Sequence, residues 1–84
     1  MDDLSVFTAI DENGDESKYK MLYCKVVGDK PIIWYTDGIR SENGQYSIYI
    51  SSYQEKDNKF LLDSIDNDLE MKKYITIFKQ DNNL

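Results

Sequence analysis

The chain has 84 residues, with 10 basic and 16 acidic side chains and a formal charge of -6, which supports a single hydrophobic core and argues against general attraction to phosphate backbones or anionic lipid. It contains no histidine and one cysteine, Cys24, which excludes Ser-His-Asp and Cys-His catalysis, histidine metal sites and an internal disulfide. Hydrophobic residues make up 40% and aromatics 13%, seven tyrosines among them, too much apolar material for a disordered acidic tail.

The start, Met1-Asp2-Asp3, is acidic and lacks an apolar run, so no signal peptide is expected there. No stretch approaches the ~20 apolar residues of a membrane span. A secreted domain of this size would carry several disulfides, so the expected compartment is a reducing cytoplasm. Asn13-Gly14 is the strongest turn signal, suited to a type I′ hairpin. Taken that way, Val6 faces Met21, Thr8 faces Tyr19 and Leu4 faces Tyr23, gathering Leu4, Val6, Ile10, Tyr19, Met21 and Tyr23 on one face. The second strand, about Ser17 to Val27, ends at Gly28-Asp29, a type II′ pattern. Pro31 begins the third, Ile32-Ile33-Trp34-Tyr35-Thr36, a β-branched and aromatic run. Residues 37–44 read as a loop with turn signals at Asp37-Gly38 and Asn43-Gly44. Gln45 to Ser52 alternates as a fourth strand, with Tyr46, Ile48 and Ile50 on one face and Tyr49 on the other. Gln54 to Lys59 reads as polar loop, and Phe60-Leu61-Leu62 as a short fifth strand. Asn67 with Glu70 resembles a capping box, followed by an apolar stripe of Met71, Tyr74, Ile75 and Phe78, with Ile77 beside it. Burying that stripe at ~1.5–3 kcal/mol per side chain outweighs the few tenths from helix-end charges. No repeat or linker interrupts the chain. The expectation is one α+β domain over residues 1–84: an antiparallel β-meander of four to five strands with one C-terminal α-helix on one face.

Three segments carry a resemblance. Asp11 to Glu16 with Tyr19-Lys20-Met21-Leu22-Tyr23, Ile32 to Thr36 followed by Ile48 to Tyr53, and Leu61 to Ile65 leading into Asp68-Leu69-Glu70 resemble the YrzB-like family, small acidic proteins of Gram-positive bacteria. Its function is unknown, so the resemblance implies a bacterial cytoplasmic origin and assigns no catalytic residue. This chain is less acidic than many such proteins and lacks their acidic cluster between the third and fourth strands.

No catalytic, cofactor or metal site is expected. Asp11, Asn13 and Asp15 imitate the start of a calcium loop, but glycine stands fourth instead of sixth and Leu22 replaces the twelfth-position Glu. Asp63, Asp66, Asp68 and Glu70 are explained by the start of a helix. Cys24 reads as a buried small hydrophobe. A single helix covers only one face of a sheet, which would leave Tyr35, Tyr49 and Tyr53 on the other as a protein-interaction surface. The leading reading is therefore a non-enzymatic interaction module that engages a protein partner or itself, without nucleic acid or membrane. The alternative is an acidic inhibitor that mimics nucleic acid in another protein's basic groove, which would need its carboxylates in a spaced row on one surface.

Overall fold

The computed structural model describes residues 5–83, so Leu4, expected opposite Tyr23, lies outside them. Five strands, β1 (Ser5–Ile10), β2 (Glu16–Val27), β3 (Lys30–Thr36), β4 (Tyr49–Lys56) and β5 (Lys59–Ser64), precede one helix, α1 (Asp68–Asp81). Each strand pairs antiparallel with the next. β5 then meets β1 in parallel, through Ala9 with Phe60 and Ile10 with Leu61, and the sheet closes into a barrel. The α+β class with one C-terminal helix is thus observed, but an open, purely antiparallel meander is not. The long β2 explains the closure. Its first half pairs with β1 and its second half with β3, and the ladder shifts between Met21 and Tyr23, around Leu22. A bulge at that handover strengthens the twist, and strand twist carries the last strand round to the first.

The first hairpin lies one residue away from the expected register. Phe7 pairs with Tyr19, Ala9 with Ser17 and Ile10 with Glu16, so the tip spans residues 11–15 and is no two-residue turn. The Asp11 carbonyl accepts from the Gly14 N–H, and its Oδ1 accepts from the N–H groups of Asn13 and Asp15. Only Gly14 of the Asn-Gly pair has positive φ, at 86°, whereas a type I′ turn needs it at both. A one-residue slip turns every side chain over. Phe7 and Ala9 are therefore buried, and Val6 is 61% exposed. The type I′ positions belong instead to Asp57 and Asn58, with φ of 54° and 66°, between the paired Lys56 and Lys59. The expected polar loop over 54–59 is consequently a tight hairpin, with strand on both sides of the turn. Gly28-Asp29 does join β2 to β3 as two residues, with Gly28 at φ 64°.

β3 is buried on both sides. Ile33 and Tyr35 point into the barrel with Phe7 and Ala9, and Tyr19, Met21, Cys24, Tyr53, Phe60 and Leu62 pack around them. Ile32 and Trp34 point outward against Tyr74, with Leu22, Tyr23, Val27, Ile50, Ile65, Ile77 and Phe78. The unbroken apolar run of this strand suits a strand covered twice. Asn67 caps α1, its Oδ1 accepting from the Glu70 N–H at 2.9 Å. The Glu70 side chain does not complete a capping box, because it takes the Tyr74 hydroxyl at 2.6 Å and Lys30 Nζ at 3.0 Å. Tyr74 is the buried residue of the helix; Ile77 joins Phe78 and Met71 as half-buried, and Ile75, expected inward, is 41% exposed. At the far end, Asp81 Oδ2 accepts from Tyr23 at 2.6 Å and Lys25 at 2.8 Å. These contacts join both ends of α1 to β2 and β3, so the helix lies across the outer face of the sheet.

Candidate functional site

Of the three tyrosines assigned to an open sheet face, Tyr35 and Tyr53 lie on the side turned away from α1, and Tyr49 lies at its edge, beside the flank of the helix. Because the sheet closes, that side is the barrel interior. Tyr35 is 8% exposed, and its hydroxyl hydrogen-bonds the buried Ser51 hydroxyl at 3.0 Å. Tyr53 is half-buried, stacked on Phe60 at 4.8 Å between centroids. Burial raises the hydroxyl pKa of both. Only Tyr49 reaches solvent, at 41% exposure, where its hydroxyl donates to Asp37 Oδ2. It stands at the barrel mouth, its ring 5.6 Å from that of Tyr35. The three residues therefore do not make one external patch: Tyr35 is in the core, Tyr53 packs on Phe60, and Tyr49 is at the rim.

A concave apolar surface forms beside Tyr49, where sequence periodicity places two residues wrongly. The fourth strand begins at Tyr49, so Tyr46 and Ile48, expected within it, belong to the preceding loop. That loop repeats the geometry of the first hairpin tip. Ser41 replaces Asp11, its carbonyl and hydroxyl taking the Gly44 and Gln45 N–H groups, and Asn43-Gly44 fills the place of Asn13-Gly14. Arg40 and Tyr46 bridge its neck, the guanidinium 5.2 Å above the ring centre, and Arg40 Nε donates to the Tyr46 hydroxyl at 3.1 Å, a bond that lowers the hydroxyl pKa. Held this way, Ile48 stays 47% exposed. β5 ends opposite Ser51, so Tyr49 and Ile50 extend beyond it, and the chain turns through Ile65 into α1. Ile48, Tyr49 and Ile50 form one wall of the resulting groove, and Met71, Ile75 and Phe78 of the helix form the other. The groove has a volume of about 670 Å³, and Lys79 is its one charged lining residue. Ser64 and Ser51 supply polar edges. Volume and lining fall within the usual range for ligand and segment binding sites.

Of the remaining candidate residues, Asp11 and Glu70 are accounted for by their partners. Asp11 caps its own turn, as described. Asp68 and Glu70 occupy the first turn of α1, and Tyr74 followed by Lys30 holds the Glu70 carboxyl below its ordinary range. Among the described residues, no three Cys, Asp or Glu side chains converge on a point where a metal ion could sit. Cys24 is half-buried against the barrel interior, and burial pushes its thiol pKa up, away from the reactive thiolate form. A second, more polar hollow of about 270 Å³ lies beside the first hairpin tip, lined by Asp11, Glu12, Asp15, Tyr35 and Ser51 among others. Among the described residues, no helix is long and apolar enough to cross a membrane. No protein-family model, curated protein or solved structure matches the chain.

Proposed function

We propose that this domain is a non-enzymatic protein-interaction module whose docking surface is the groove between α1 and the start of β4. The observation that carries the reading is the apolar groove itself, with Ile48, Tyr49 and Ile75 exposed by 41 to 47% along its walls. Apolar residues gathered around one concavity are the usual mark of a protein contact. Of the three tyrosines, Tyr49 belongs to this surface, Tyr35 backs it from within, and Tyr53 stacks on Phe60 away from it. A bacterial, YrzB-like origin and a reducing cytoplasm are part of the proposal; the three resembling segments support the first, and the single cysteine the second. The acidic-mimic alternative is less favoured. Glu16, Glu70 and Asp81 each hold a lysine, at 2.6, 3.0 and 2.8 Å, so these carboxylates are interleaved with cations.

Site-specific photo-cross-linking in a Gram-positive host tests the proposal. A photoreactive residue at position 48 should give discrete protein adducts that Ile75→Glu abolishes. The same residue at position 6, exposed on the outer face of β1, should give none. Equal labelling at the two positions, or none at position 48, contradicts the assignment.

A further inference from the structure

We infer that the groove is occupied by a second copy of this chain, packed through α1 in a two-fold antiparallel arrangement; this rests on reading the groove as a docking surface. The warrant is the charge pattern along the groove side of the helix. Asp68 and Lys79 are eleven positions apart, which places them within about 20° of each other around the axis and about 16 Å apart along it. They stand at opposite ends of one stripe, with Met71 and Ile75 between them. Both are exposed, and among the described residues neither takes part in an ion pair, the three pairs present being Lys25–Asp81, Lys30–Glu70 and Lys59–Glu16. Acid at one end, base at the other and apolar side chains between make a surface complementary to its own antiparallel copy. A two-fold axis near the middle of the helix brings Asp68 of each protomer to Lys79 of its partner and sets Ile75 between Met71 and the stem of Lys72 across the axis, at the edge of the groove, as an isologous contact requires. Lys72, on the same side, extends its aliphatic stem along the contact with its charge outward. The helix dipole accounts for acid in the first turn and base in the last but not for their angle around the axis; that both fall on the stripe of Met71 and Ile75 serves a second copy and not a generic apolar ligand.

Sedimentation of the purified chain from about 1 μM to about 1 mM, the range in which small interfaces associate, tests this directly. The wild-type chain should pass from monomer to dimer, and Ile75→Glu should remain monomeric. Lys79→Asp turns both end pairs of its homodimer into acid against acid, and Asp68→Lys turns both into base against base. Each should weaken association about tenfold or more. An equimolar mixture of these two variants restores an opposite pair at both ends and should form a heterodimer about as tight as wild type. Recovery on mixing also shows that neither variant is merely unfolded. A wild-type chain that stays monomeric throughout overturns the inference, and so does a dimer indifferent to Ile75→Glu or to the charge exchanges. The photo-cross-linking in cells is read independently: adducts with other proteins at position 48 beside a monomeric purified chain would uphold docking and overturn only the second copy.

Discussion

Trp34 joins the barrel to the helix. It is fully buried, its indole N–H donates to the Tyr74 carbonyl at 3.1 Å, and its ring stacks 6.0 Å from Phe78. Trp34→Phe removes both the bond and part of the filled volume, and should cost about 2–3 kcal/mol in urea unfolding. Tyr74 meets the other edge of this indole and gives its hydroxyl to Glu70. Burial, followed by that carboxylate, pushes its pKa from 10.0 up to about 12. An unfolded phenol ionises near 10 while the folded one keeps its proton, so this contribution to stability is complete below pH 10 and is lost as pH rises toward 12. Tyr74→Phe should remove the last phenol to ionise in a tyrosinate absorbance titration and flatten the alkaline fall in stability. The acid side has the opposite sign. Tyr74 and Lys30 lower the Glu70 pKa from 4.5, and Lys25 and Tyr23 lower that of Asp81 from 3.8. Their stabilisation is complete above those values and declines as pH falls through the lowered folded-state ones. Urea midpoints measured on the way down should therefore fall less steeply in Tyr74→Phe than in wild type.

Among the elements, the first hairpin decides what is inside. Its observed register makes Phe7→Ala a core truncation costing about 3–5 kcal/mol, and leaves Val6→Ala within about 0.5 kcal/mol of wild type. The register expected from a two-residue turn reverses that order, so equilibrium unfolding of the two variants distinguishes the alternatives. The β4–β5 turn gives a further check. Asn58 lies at φ 66°, where a β-branched side chain is strained, and Asn58→Val should cost about 1–2 kcal/mol by the same measurement. Strand content and helix position were readable because β3 is a continuous β-branched and aromatic run and because Asn67 begins a strong amphipathic stripe. Register was not. Asn-Gly is compatible both with a two-residue I′ turn and with the tip over 11–15 that the Asp11 side chain selects, and the two differ by one residue. Residues 45–48 alternate in polarity like a strand, but their pairing goes no further than the single Arg40–Tyr46 bridge, and no ladder extends over Ser47 and Ile48. Ile75 fits the helical period, yet α1 rests on Tyr74, Ile77 and Phe78, which leaves Ile75 over the groove.

For the molecule as a whole, closure changes the meaning of the aromatic residues. An open sheet under one helix would have a second, tyrosine-bearing face, whereas the parallel contact of β5 with β1 makes that face the interior. The same closure puts helix and lumen on opposite sides of β3 and leaves a concave apolar surface where β5 ends before β4 does, while Val6, Val26, Ile39 and Leu69 stand exposed outside it. That is why the groove could not be found from periodicity alone: its walls come from a loop, a strand end and the flank of a helix, and no single repeat in the chain connects them. The interior position of Tyr35 and Tyr53, which leaves the groove in place of an open tyrosine-bearing face, depends on the barrel being closed. The most direct test is a pair of NOE spectra of the folded chain, nitrogen-edited for the backbone and carbon-edited for the rings. Closure predicts backbone contacts of Ala9 and Ile10 with Phe60 and Leu61, together with contacts between the Phe7 and Phe60 rings, whose centroids are 5.0 Å apart. A spectrum with the four antiparallel ladder pairings intact and no contact between the first and last strands would contradict it.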